Sequence, residues 1–240
     1  MTLPPHMRGL IELDGSTNDL AALRLVAPAC NCAIEPGPDQ RLSWLCGTTI
    51  ERAATPEDAK RETEKLLVVL NGLARMERPQ HRNVVVGNVF CKAGQSHFFG
   101  PHRPFNPSGI FASSLFGPIP RPPDDPVKER RRAQLVADAK LIDIVKVFGD
   151  EVNWQKLRVA FEKIRHLVGN GTDNSLVQHG YTTRQELTRF KANIEDPRLS
   201  GDDAVHGVPQ GELKGERMKV EDALNFVIQL LDRYLAKSGR

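Results

Sequence analysis

Alternation of apolar and polar residues dominates the first hundred residues, and a three-to-four-residue apolar spacing dominates the last hundred. "RGLIELD" (8–14) alternates and stops at Asp14-Gly15-Ser16, a turn signal. "ALRLVA" (22–27) also alternates and predicts a strand, followed by the turn-rich "PACNCAIEPGPDQ". "RLSWLCGTTIE" (41–51) predicts a third strand with Leu42, Trp44 and Cys46 on one side. These three read as strands of a small antiparallel sheet with one wet face.

A helix follows. Thr55 serves as N-cap, Pro56 takes the first helical position, and Leu66, Val69, Leu70 and Leu73 form the buried face. "NVVVGNVFCKAGQSHFFG" returns to β character, with Gly94 in a hairpin turn. Residues 101–126 hold eight prolines, which deny backbone donors and fix φ, so this stretch reads as a connector with a boundary near Pro126. Ile110, Phe111, Leu115 and Phe116 inside it suggest that its middle docks on something.

Beyond the connector the pattern is helical. "KERRRAQLVADAKLIDIVKVFG" reads as one helix burying Leu135, Ala139, Ile142, Val145 and Phe148, stopped by Gly149. A second buries Trp154, Leu157, Phe161, Ile164 and Val168 and stops at Gly169-Asn170-Gly171. A third opens with the capping box Thr183-x-x-Glu186 ahead of Leu187, Phe190 and Ile194. The last presents Val220, Leu224, Val227, Leu231 and Tyr234, widened by Phe226 and Ile228. The fold class is α+β: a β-rich unit with one long helix (1–100), the connector (101–126), and a helical bundle of about four helices (127–240).

Composition narrows the classes. At 240 residues, 40% hydrophobic and 26% charged, the chain has the make-up of a globular protein. No apolar run approaches the ~20 residues of a membrane span, and no secretory signal pattern opens the chain; the expectation is a cytoplasmic protein. The net charge is +3, and the one dense basic run, "KERRR" (128–132), reads as a solvated helix face more readily than as a phosphate contact. Cys30, Cys32, Cys46 and Cys91 form no CxxC pair, and although His97 and His102 follow Cys91, reduced thiols are the better reading than a metal site. No phosphate loop, nucleophile elbow or dinucleotide fingerprint is present, so no cofactor is expected.

"NWQKLRVAFEKIRHLVG" and "GYTTRQELTRFKANIEDPRLSGDDAVHG", followed by an amphipathic helix, resemble the C-terminal part of a set of uncharacterised bacterial proteins. In those a Trp-containing helix precedes an ELKRF segment and a Gly-Asp-Ala-Arg-His loop. That resemblance implies a fold unit and no activity, and Val205 stands where those proteins carry the arginine. A weaker resemblance is to HEPN-type helical domains, many of them RNases of defence and toxin systems that work as dimers through an Arg-x(4–6)-His motif. It implies Arg198 and His206 as catalytic residues on RNA, although seven residues separate them here.

In that reading His206 moves protons and Arg198 neutralises phosphate charge. In the other, the 196–211 loop is a connector whose glycines turn the chain and whose Asp202 and Asp203 cap backbone amides. Glu162 and His166, four apart, read as a surface pair on one helix face. The leading expectation is a non-catalytic binding or interaction protein, with a possible homodimer through the C-terminal helix.

Overall fold

The computed structural model describes residues 9–36, 43–92, 95–99, 125–168, 171–200 and 217–238. The chain divides into two compact units, residues 1–136 and 137–240. The class is mixed α and β, with a five-stranded antiparallel sheet in the first unit and helices alone among the described residues of the second.

In the first unit the elements are β1 (Gly9–Asp14), α1 (Thr17–Val26), a 3-10 turn (Ala27–Cys30), β2 (Cys32–Pro36), β3 (Ser43–Gly47), α2 (Thr48–Glu51), α3 (Pro56–Glu77), β4 (Val85–Lys92), β5 (Gln95–Phe98) and α4 (Pro126–Ala137). Sheet order is β2-β3-β1-β4-β5. Residues 22–27, expected as a strand, belong mostly to α1. The Ser16 hydroxyl accepts the Asp19 backbone N–H at 3.2 Å, an N-cap that starts the helix before the alternating stretch begins. Leu20, Leu23 and Val26 then fall on one buried face. The missing strand is β2, inside a stretch rich in turn residues, where Asn31 takes the left-handed conformation (φ 54°) that ends the 3-10 turn.

α3 starts where Thr55 and Pro56 place it, but its buried face includes Leu67 where Leu66 was expected, and it continues through Asn71, Ala74 and Met76. Gly94 lies outside the described residues, while Lys92 pairs with Gln95 across the β4–β5 hairpin.

Register separates the two faces of the sheet, because directly opposed residues share a face. Ile11 opposes Leu45 and Phe90, and Leu13 opposes Ser43. That face meets the helices: Arg24 of α1 donates to Ser43 Oγ at 3.1 Å, and Lys92 donates to the Ala53 carbonyl at 2.7 Å between α2 and α3. The opposite face was expected to be wet. It carries a separate buried cluster of Leu10, Trp44, Val89 and Cys91, with Cys46 and Phe98 packed against it. Each large side chain so buried stabilises the fold by roughly 1.5–3 kcal/mol.

A buried polar knot ties α1, α3 and the segment before β4 together. Asn71 donates to the Val84 carbonyl at 2.9 Å and accepts the Val84 N–H at 3.0 Å. With the amide fixed that way, His81 Nε2, 3.0 Å from Asn71 Oδ1, carries the proton and donates. His81 Nδ1 lies 3.2 Å from Asp19 Oδ1. Burial pushes the imidazole down to about 4, helped by Arg75 and Arg78, while Asp19 pulls the other way. For Asp19 burial pulls upward, yet hydrogen bonds from Ser16 and the Arg82 N–H, with the charges of His81 and Arg78, hold its carboxyl below the ordinary value.

α4, expected with the helical part, belongs to the first unit. Arg132 grips Glu77 through Nε and a second nitrogen, at 2.5 and 3.0 Å, and donates to the Leu25 carbonyl at 2.8 Å. The run 128–132 is therefore solvated only in part: Lys128 and Arg130 are exposed, Arg132 is buried.

In the second unit the elements are α5 (Ala139–Phe148), α6 (Trp154–Leu167), α7 (Asp173–Gln178), α8 (Arg184–Glu195), α9 (Pro197–Ser200) and α10 (Val220–Ser238). The single helix expected over 128–149 is interrupted at Asp138, whose carboxylate accepts the Lys140 N–H at 2.7 Å and caps α5. The break shifts the buried face: Ala139 is exposed and Ile142 half-buried, while Leu141, Ile144, Val145 and Phe148 are buried. The Thr183–Glu186 capping box forms as expected. Phe190 of α8 stacks against Phe161 of α6 and Phe226 of α10, with ring centroids 5.2 and 4.6 Å apart.

Two outcomes are expected of the first unit. Because the folded His81 ring ionises near 4 and an unfolded one near ~6.5, its stabilising contribution is complete above pH 6.5 and is lost as pH falls toward 4. Asp19 adds a further loss below its ordinary value of 3.8. Urea unfolding followed between pH 7 and pH 4 should show a fall of roughly 1–3 kcal/mol that His81→Gln flattens. Arg132→Ala should cost about 3–5 kcal/mol, since it leaves the Glu77 carboxylate buried without its partner. The double variant Arg132→Met/Glu77→Leu should recover most of that in the same measurement.

Candidate binding groove on the helical unit

Four cationisable or acidic side chains meet where the start of α5 approaches the end of α6. Lys140, Asp143, Lys163, His166 and Leu167 line a groove of about 250 Å³. Lys140 stands in the first turn of α5, presented there by the Asp138 cap. Lys163 and His166 are three apart and therefore share one face of α6. Asp143, the one carboxylate among the described lining residues, is 3.2 Å from Lys146. Among the described residues neither lysine side chain nor His166 has a hydrogen-bond or ion-pair partner.

His166 is exposed, and its position is set from below by Gly171. Gly171 has φ +59°, and a Cβ built on it would stand 3.0 Å from His166 Nδ1. The glycine thus provides both the left-handed turn and the space under the ring. The Glu162–His166 surface pair expected from spacing does not form. Glu162 instead pairs with Arg165, which also reaches Asp173 Oδ1 at 3.3 Å. Lys191 of α8 binds the other Asp173 oxygen at 2.7 Å. Burial alone would raise the Asp173 carboxyl, but Lys191 and Arg165 outweigh it and hold it below the usual range. This chain of charges fixes α6, α7 and α8 together and leaves His166 facing the groove.

Of the two RNase candidates, His206 lies outside the described residues, as do Asp202 and Asp203. Arg198 is exposed and its guanidinium is taken by Asp196: Nε lies 2.9 Å from Oδ1, and the Arg198 backbone N–H donates to the same oxygen at 2.9 Å. The hydrogen bonds from Arg198 hold the Asp196 carboxyl below its ordinary value. An arginine so engaged must exchange a carboxylate for phosphate before it can stabilise a transition state. An Arg-x(5)-His spacing that does satisfy the motif occurs at Arg75 and His81, but both are buried, and Arg75 Nε donates to the His81 carbonyl at 3.2 Å. They are part of the polar knot.

The chain entering α10 is anchored at Met218. Asn193, fully buried, donates to the Arg189 carbonyl at 2.9 Å and accepts the Met218 N–H at 2.7 Å. Sequence pattern drew no attention to Asn193. Asn193 is in register with the buried face of α8 (Leu187, Phe190, Ile194), but a polar side chain there adds nothing to an apolar pattern. Lys140 was missed because the break at Asp138 was missed.

Nearby, Lys237 donates to the His179 carbonyl at the end of α7 and sits 4.4 Å over the Tyr181 ring. Arg233 donates to the Tyr181 carbonyl at 2.7 Å. The last turns of α10 therefore close the end of α7, where cations favour free carbonyls. Leu224, Phe226, Val227, Ile228, Leu231 and Leu235 of α10 are buried within the chain itself, while Val220 and Tyr234 are half-buried. The breadth of that face is spent on the chain's own core and does not by itself argue for a second copy.

No group of three or more His, Cys, Asp or Glu is placed to hold a metal ion among the described residues. Burial pushes the thiols of Cys30 and Cys46 up to about 11 and that of Cys32 to about 12, far from a reactive thiolate. No helix among the described residues is long and apolar enough to cross a membrane. Compared with known proteins, the chain matches no family model, no curated protein and no solved structure.

The geometry around Gly171 predicts a measurable coupling. Gly171→Ala should destabilise the helical unit by about 1–2 kcal/mol, partly from positive φ and partly from the contact with His166. In a His166→Ala background the same substitution should cost less, since only the backbone part remains. Thermal melts of the four proteins give the cycle.

Proposed function

We propose that this chain is a non-catalytic binding protein that takes an anionic group of a ligand or partner in the α5–α6 groove. The observation that carries the reading is the convergence of Lys140, Lys163 and His166, from two helices, on one concavity. The one carboxylate among its described lining residues, Asp143, is already engaged by Lys146. At about 250 Å³ the groove is below the ~300–1,000 Å³ of sites that hold a whole small molecule. It suits a phosphate or carboxylate group attached to something larger.

The helical unit acts in this reading as a rigid bundle that displays the groove. Its lysines are point charges on flexible stems, suited to docking an anion and not to orienting one for chemistry. A reducing, cytoplasmic setting belongs to the same proposal, consistent with four free cysteines. Metal-independent RNA cleavage at Arg198 and His206 ranks lower because Arg198 is already committed to Asp196.

Titration of isotope-labelled protein with inorganic phosphate at constant ionic strength should shift the amide signals of Lys163, His166 and Leu167. Lys140→Gln/Lys163→Gln should weaken that binding by roughly 2- to 30-fold, the range expected for two exposed ion pairs of ~0.2–1 kcal/mol each. Equal shifts with chloride in place of phosphate, or no change in the double variant, would exclude the groove as an anion site.

A further inference from the structure

We propose that the outer face of the sheet, opposite α1, α2 and α3, is the docking surface for the chain's own proline-rich segment, residues 100–124. Leu10, Trp44, Val89 and Cys91 on that face are each less than a tenth exposed and form a cluster of their own with Cys46 and Phe98. The helices of the first unit are committed elsewhere. α1 reaches Ser43, α2 lies against Gly9 through Ile50, and the turn before α3 takes Lys92, all contacts of the other face. α4 is tied to the Leu25 carbonyl and Glu77. An apolar sheet face of this kind must be covered, since water would otherwise meet a tryptophan and two aliphatic side chains at once.

The segment is tethered at the right place. Phe99 still donates its N–H to the Asn88 carbonyl at 2.8 Å, so the chain leaves the sheet edge next to Phe98, itself a member of the cluster. It returns at Asp125, ahead of α4 in the same unit. Crossing the five strands needs about 19 Å at ~4.8 Å per strand spacing, and the intervening chain can span about 80 Å when extended.

Composition fits a face more than an edge. Its prolines lack the N–H groups that would extend the ladder, which leaves side-on packing as the way to bury its apolar residues. It offers Phe105, Ile110, Phe111, Leu115, Phe116 and Ile119. Charge agrees: Glu12 and Glu35 lie on the same face by register, and the segment carries Arg103 and Arg121 with Asp124 as its one acid.

The test reads Trp44 in the full-length chain. With aromatic and methyl labelling, nuclear Overhauser contacts should run from the Trp44 indole to the methyls of Ile110 or Leu115 or to the rings of Phe111 or Phe116. In a Trp154→Phe background, where Trp44 is the remaining tryptophan, Phe111→Ser/Phe116→Ser should raise iodide quenching of its emission several-fold while far-UV circular dichroism keeps the sheet signal. Contacts from Trp44 to Leu3 or Met7 would overturn the proposal in favour of the amino-terminal residues. Contacts seen only between differently labelled molecules would assign the face to a second copy. A Trp44 quenched as freely in the parent protein as in the variant would overturn it outright.

Discussion

Each unit of this protein is held at its least regular point by one buried asparagine that plays the part of a missing backbone neighbour. Asn71 exchanges both of its amide groups with Val84, as an opposed strand residue would. Asn193 accepts the Met218 N–H while donating within its own helix. In both places a chain segment must leave regular structure under cover of the core, where an unpaired backbone group costs about 1–3 kcal/mol. Side-chain amides meet that demand without charge. These two residues hold the chain where it enters β4 in one unit and α10 in the other.

Charge is distributed by the same logic of commitment. Arg132 is used up on Glu77, Arg165 on Glu162 and Asp173, and Arg198 on Asp196. Each of these pairs fixes one element to another or caps a turn. Lys140, Lys163 and His166 stand apart because they converge without such duties among the described residues. A binding reading rests on that contrast: side chains that hold the fold together are not available to a ligand, whereas these three are.

His81 shows how a sequence motif and a site can part company. Together with Arg75 it has a spacing that suggests phosphate chemistry, yet the side chain is sealed between Asp19 and Asn71. Burial drives the ring toward neutrality, so it serves the core and not a ligand. Spacing along the chain says which residues share a helix turn. It says nothing about which side of a core they occupy.

Local chemistry was legible in the residues themselves. Thr55-Pro56 and the Thr183–Glu186 box start α3 and α8 because caps act over three or four residues. Gly149 stops α5, and β1 and β4 form where the residues read as β, although both faces of each strand carry buried residues. The same local rules misled where two of them competed: 22–27 alternates like a strand, but the Ser16 cap had already begun a helix. Long-range pairing was not legible. That Arg132 turns inward to Glu77, that Trp44 faces a second buried cluster, and that Lys140 meets His166 all depend on elements brought together from distant positions. Hydrophobic period and capping act over a turn or a strand, so the sequence alone determined where many elements begin and which faces seek burial. Which partner each face finds is a matter of packing and electrostatic pairing across the core, and the tertiary structure decided it.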